Sequence, residues 1–391
     1  MRDFLSDKAK QLKPSGIRKF FDIASERKDV ISLGVGEPDF ITPWGIRNAG
    51  VQAIKNGFTQ YTSNKGLTKL REKISTYLKS RFDVNFSKED MVITVGASEA
   101  IDITLRAIVN PDDEILVPDP SYVSYKPTVE LVGGKAVAIR CDGQVGFKIT
   151  PENLEKAITS KTKALIFPYP NNPTGAIMDR EDIEKIIPII LKHDLLVISD
   201  EIYAELTYGK THVSIASFEQ LKDRVVLISG FSKAFAMTGW RVGYVCAPSL
   251  ICSALLKIHQ YGIICAPIFS QYAALSGLEY GEKDNFNDVA LMKKEYDRRR
   301  KFIYQSFKDM GLECFEPEGA FYIFPSVEKT GFTGDEFAMK LLEEKNIAVV
   351  PGSAFGDFGT NYIRVSYAYS MKNLVFAMAK IKEFVKQLLN D

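Results

Sequence analysis

The chain has 391 residues, 46% of them hydrophobic and 25% charged, the mixture of a soluble globular protein with room for two packed lobes. Its 50 Lys and Arg against 49 Asp and Glu leave a formal charge of +1, which gives no electrostatic case for nucleic acid or an anionic membrane. The first residues are polar and the apolar runs are far shorter than a bilayer requires, so neither a secretory leader nor a membrane span is expected.

Short apolar segments alternate with longer amphipathic ones, the pattern of a largely parallel sheet covered by helices. The spacing predicts strands at 92–95, 114–117, 164–167, 195–199, 225–228 and 241–245. Helices are predicted at 98–109, at 151–158 and at 180–193; the second is opened by Thr150 as N-cap and Pro151 at the first helical position. After about residue 280 the character changes to helix 292–310, strand 320–324, helix 335–345, strands 347–350 and 362–366, and helix 373–389. That is α+β rather than alternating. The expected architecture is therefore a larger α/β domain of residues 45–285 and a smaller α+β domain made of 1–44 and 286–391.

The cysteines (Cys141, Cys246, Cys252, Cys265, Cys314) are scattered and form no Cys-x-x-Cys pair. Free thiols in a reducing cytoplasm fit them better than a disulfide framework. His193, His212 and His259 lack ligand spacing, and no metal is expected.

Several residues sit where sheet strands end, which is where open α/β sheets bind ligands. Lys233 follows the strand 225–228 among Phe231, Ala234, Phe235 and Ala236, surroundings that desolvate an amine and favour the neutral form that Schiff-base chemistry needs. Arg241, in Thr238-Gly239-Trp240-Arg241, adds a permanent donor for a phosphate. Asp200 ends the strand 195–199 and needs a cation, which a protonated pyridine nitrogen supplies, with Tyr203 close enough to offer its hydroxyl to the same ligand. A surface lysine and a helix-capping Asp beside a packed Tyr are the plain alternatives for these residues taken singly. Gly96-Ala97-Ser98 opens a helix after a strand, a ready phosphate cup. Asn172 lies in the turn Asn171-Asn172-Pro173-Thr174-Gly175, and Tyr122 follows a strand, placed either to stack on a flat ring or to pack in its loop. Arg364 stands inside the apolar strand 362–366 and demands an anion, either a ligand carboxylate or a structural partner.

In this order, these elements resemble the class I and II aminotransferases, fold-type I enzymes that use pyridoxal phosphate. The likeness runs from Ser32-Leu33-Gly34-Val35-Gly36-Glu37-Pro38-Asp39-Phe40 to Arg364 and is closest to the aspartate and archaeal aromatic members. Ile17-Arg18-Lys19-Phe20-Phe21, Glu295-Tyr296-Asp297-Arg298-Arg299-Arg300 and Gly319-Ala320-Phe321-Tyr322-Ile323-Phe324-Pro325 add to it.

The resemblance implies a mostly parallel seven-stranded sheet in the larger domain and a homodimer. It implies that Lys233 carries the cofactor covalently and that Asp200 pairs with its ring nitrogen. Tyr203 and Asn172 bond the ring oxygen and Tyr122 stacks on the ring. The phosphate falls to Ala97, Ser98, a serine near Lys233 and Arg241, with Tyr61 reaching across from the partner. Arg364 and the Gly36 backbone take the substrate carboxylate.

One departure is present. Many members carry Ser three positions before the lysine; here that residue is Gly230, so Ser232 or Ser229 must serve. The reaction implied is ping-pong transfer from an aromatic or broad range of L-amino acids to 2-oxoglutarate. An aspartate aminotransferase is the alternative, and a C–S lyase a more distant one. A regulator fused to a DNA-binding domain is not expected, because the family-like region uses almost all of the chain.

Overall fold

The computed structural model describes residues 2–12, 14 and 29–390; the phrase 17–21 lies outside them. In chain order, β1 (Ile31–Ser32) precedes the seven strands of the main sheet: β2 (Met91–Thr94), β3 (Glu114–Asp119), β4 (Lys135–Arg140), β5 (Thr162–Phe167), β6 (Leu196–Asp200), β7 (Val225–Gly230) and β8 (Gly243–Cys246). Their spatial order is β2-β8-β7-β6-β5-β3-β4, and only β8 runs against its neighbours.

Central strands are buried on both faces, which is why they read as unbroken apolar runs. Ile115 and Val117 face the helices Gly96–Ile108 and Ser249–Gly262, while Leu116 faces Pro151–Ala157 and Arg180–Lys192. Thr150 caps the first of the latter pair, accepting from the Asn153 N–H at 3.2 Å. Only β4 escapes the apolar pattern. It pairs with β3 on one side, and its Lys135 and Arg140 are exposed, as an edge strand requires.

The other part carries β9 (Tyr322–Ile323), β10 (Ile347–Ala348), β11 (Val350–Pro351) and β12 (Ile363–Ser366). A β11-β12-β9 antiparallel sheet packs under the helices Asn287–Asp309, Gly334–Lys345 and Met371–Asn390 through Ile303, Phe307, Phe337, Leu341, Ile363 and Phe384. β1 pairs in parallel with β10 as a separate two-stranded sheet. The helix Asp7–Gln11 lies elsewhere, with the Lys8 ammonium donating to the Leu131 carbonyl at 3.0 Å.

Two expected strands are shorter in the structure. The segment 320–324 keeps only Tyr322 and Ile323, because Ala320 adopts a left-handed φ of 57°. The segment 347–350 divides at Val349, with one half pairing to β1 and the other to β12. Helix Ile268–Asp284 had no readable stripe because it is buried on most of its surface.

Candidate active site

The parallel strands deliver their carboxyl ends to one edge of the sheet, and β8, running the other way, begins there. Asp200 is the last residue of β6. Lys233, Tyr203, Tyr122 and Asn172 follow β7, β6, β3 and β5, while Arg241 stands two residues before β8. They line one cavity of about 610 Å³, together with Gly36, Ala97, Ser98, Ser232 and Arg364. Tyr61 is the one expected site residue away from it, with 79% of its surface exposed.

Lys233 enters the cavity with its ammonium donating to the Gly36 carbonyl at 2.7 Å. Burial pushes its pKa down to about 8; Glu37 opposes that fall, and Arg364 and Arg241 reinforce it. Asp200 is 6% exposed and receives the Tyr125 hydroxyl at 2.8 Å and the Ile202 N–H at 3.2 Å, both neutral donors. Burial raises its pKa to about 6. A buried carboxylate at the end of a sheet with neutral donors alone suits a cationic group of a ligand.

The cup at the start of helix Gly96–Ile108 is tight. Gly96 has φ +77°, and a Cβ there would come within 2.5 Å of the Arg241 guanidinium, so glycine lets that cation reach the helix N-terminus. Arg241 is itself left-handed (φ 51°) and donates to the Thr238 carbonyl at 2.9 Å. Gly230, three positions before Lys233, packs on β8: an added Cβ would lie 2.8 Å from the Gly243 Cα. Of the two candidate serines, Ser232 lines the cavity, whereas Ser229 turns away and donates to the Glu201 carbonyl at 3.3 Å.

Arg364 is 2% exposed. Its guanidinium donates to Asn172 Oδ1 at 2.9 Å and to the Gly34 carbonyl, and its Nε has no partner. Burial lowers its pKa, yet no carboxylate faces it at ion-pair distance among the described residues.

Among the cavity residues given no role from the sequence are Tyr125, Glu37, Thr238 and Tyr322. Tyr125 was within reach, since it lies three residues beyond Tyr122 and Asp200 needs a donor. Tyr322 comes from β9, and no local signal ties it to the sheet edge.

These groups fit pyridoxal phosphate. The arrangement offers a desolvated amine for the aldehyde, a buried carboxylate lacking a cation for the ring nitrogen, and a helix N-terminus with an arginine for the phosphate.

A sequence profile described as "Aminotransferase class I and II" matches residues 28–381. The chain is 50% identical to the putative aminotransferase YugH of Bacillus subtilis over 98% of this chain and 99% of that one. It is 43% identical to an aspartate aminotransferase of Pyrococcus abyssi, with 98% of each chain covered. The solved structure of an aromatic aminotransferase from Pyrococcus horikoshii superposes with a TM-score of 0.90 at 41% identity, covering 95% of this chain and 99% of that one.

Proposed function

Because the chain belongs to the class I and II aminotransferases, and is therefore a pyridoxal-phosphate-dependent transaminase, we propose that it moves amino groups from an aromatic or broad range of L-amino acids to 2-oxoglutarate by a ping-pong cycle. The observation that carries this reading is the pairing, in one cavity, of the desolvated Lys233 amine with the buried Arg364 guanidinium, whose Nε is unpartnered. When bound, pyridoxal phosphate supplies an aldehyde for an amine and a ring that takes up carbanion charge.

The chain's own groups do the rest. Lys233 Nζ would hold the cofactor's aldehyde carbon and, as a free base, would take the proton from the substrate α-carbon. Asp200 holds a proton on the ring nitrogen, and Tyr203 and Asn172 take the ring oxygen. Tyr122 covers the ring face. Ala97, Ser98, Ser232 and Arg241 bind the phosphate, and Arg364 with the Gly36 backbone takes the α-carboxylate.

The protein works as a homodimer in which Tyr61 reaches the partner's phosphate. Its exposed position, and that of Ile264, whose carbonyl accepts from the Asn64 side chain three residues beyond Tyr61, supports a surface that a second copy covers. The division into residues 45–285 and 1–44 with 286–391 belongs to the same proposal, supported by the β1–β10 pairing. No helix among the described residues is long and apolar enough to cross a membrane, and the free cysteines suit a cytoplasmic enzyme.

Lys233, Arg241 and Arg364 are the cations lining the cavity among the described residues, and each has a role already. None remains for a second carboxylate: the distal carboxylate of 2-oxoglutarate must bind without one, and aspartate has no advantage over aromatic or neutral donors. Initial rates with Phe, Tyr, Ala and Asp against 2-oxoglutarate test this. Parallel double-reciprocal lines with Phe or Tyr ahead of Asp are expected. Intersecting lines contradict the ping-pong cycle, and a large preference for Asp replaces this reading with the aspartate one. Pyruvate and ammonia formed without an acceptor point to a lyase.

A further inference from the structure

Tyr322 has no role in the account so far, yet it touches three groups that do. The Arg364 guanidinium lies over its ring with 4.5 Å to the centre, and over the Phe355 ring with 4.8 Å. Its hydroxyl is 2.9 Å from that of Tyr203, with both side chains buried. A Cβ on Gly36 would come within 2.4 Å of the same oxygen, so the glycine makes room for it. Gly36 is also the residue whose carbonyl holds Lys233.

We propose that Tyr322 is a positioning residue with two separable tasks: its ring seats Arg364 for the substrate carboxylate, and its hydroxyl donates to Tyr203, strengthening the bond Tyr203 gives to the cofactor's ring oxygen. This rests on the reading that Lys233 and Tyr203 hold pyridoxal phosphate.

The hydroxyl argument is one of counting. Tyr203 has a single proton, and once that proton goes to a ligand oxygen, its lone pairs are free to accept. Tyr322 stands at the distance to fill them. A donor that itself accepts a hydrogen bond is polarised and donates more strongly, more so in a buried site. Burial raises the Tyr322 pKa, and the Arg364 charge and Tyr203 work against that rise. The hydroxyl therefore keeps its proton and serves as a neutral donor. The ring argument is electrostatic. A desolvated guanidinium over two aromatic rings is held in place without a carboxylate that would compete with the substrate's. The charged and titratable groups around the pair are Arg364, Lys233, Glu37 and Tyr122, and replacing Tyr322 by Phe leaves all of them.

The tasks separate in the variants Tyr322→Phe and Tyr322→Leu. The first measurement is the pH at which the visible absorption of the cofactor-loaded protein changes. The second is the affinity for 3-phenylpropionate, a carboxylate with no amino group to react. Weakening the Tyr203 bond leaves the ring oxygen less stabilised and the conjugated nitrogen more basic, so the midpoint rises. Tyr322→Phe is expected to raise it by about half a pH unit and to keep 3-phenylpropionate affinity within about twofold. Tyr322→Leu is expected to raise the midpoint equally and to weaken the carboxylate about tenfold. Should Tyr322→Leu not fold, Tyr322→Met carries the same comparison. An unchanged midpoint in Tyr322→Phe overturns the hydroxyl's role. Equal carboxylate affinity in the Phe and Leu variants overturns the ring's role. Wild-type protein that gains no visible band with pyridoxal phosphate defeats the underlying reading instead.

Discussion

Asp200 and Glu201 are neighbours in the chain and both are buried, yet they sit in opposite electrostatic surroundings. Asp200 looks into the cavity, receives only a phenol and one backbone N–H, and has its pKa raised to about 6. Glu201 points away and is saturated. Ser199 and Ser214 donate to one oxygen at 2.9 and 2.7 Å, and His212 lies 2.8 Å from the other. Glu205, a few residues on, is gripped by Arg81 through both oxygens and by the Tyr77 hydroxyl. The contrast separates structure from function. A protein that must hold itself together pairs its buried charges, and one that must hold a ligand leaves a few short of partners. Asp200, Lys233 and the Arg364 Nε are short of partners and face one cavity, whereas the other buried side-chain atoms without a partner among the described residues, Arg71 Nε, His259 Nε2, Ser270 Oγ and Tyr296 Oη, lie outside it.

The comparison can be broken most forcefully at Lys233. Lys233→Ala is expected to lower turnover on the order of 10⁴-fold or more, since it removes anchor and proton carrier together. Near-normal turnover would mean that the amine is not the reacting group.

Asp200→Asn is expected to reduce turnover by about 10²–10³-fold, measured as kcat with saturating cofactor. It also carries a stability signature. The folded pKa of Asp200 lies above the ordinary value of 3.8, so ionisation favours the unfolded chain and wild-type stability falls as pH rises toward about 6. The melting temperature of cofactor-free Asp200→Asn should gain on wild type between pH 4 and pH 6. A constant difference across that range would show that burial does not strain this carboxylate.

Glu205→Gln sharpens the other side. It leaves Arg81 without its carboxylate and should cost about 2–3 kcal/mol in denaturant unfolding, while kcat per folded molecule stays within about twofold. A selective loss of kcat would place Glu205 in the chemistry. The gentlest test is pH. Lys233 is protonated below its lowered pKa, so the rate at which apoprotein captures pyridoxal phosphate should climb with pH and level off past about 8. A climb continuing to the ordinary lysine value of 10.5 would show an undisturbed amine.

What was legible in the sequence follows from the same physics. Lys233, Asp200 and Arg241 stand beside buried strands, and continuous apolar runs announce such strands without tertiary information. The edge strand β4 stayed silent because Lys135 and Arg140 give it a solvent-facing pattern. Ser232 and Ser229 were indistinguishable by spacing, since the backbone turn after β7 decides which one faces the cavity. Tyr322 acts through a contact spanning 119 residues, and no local window contains such a pair.

The most direct test of the central claim is chemical. The protein is loaded with pyridoxal phosphate, reduced with borohydride, digested and mapped by mass. A single reduced adduct on Lys233, lost in Lys233→Ala, is the predicted result. An adduct spread over surface lysines, or none at all, would contradict it.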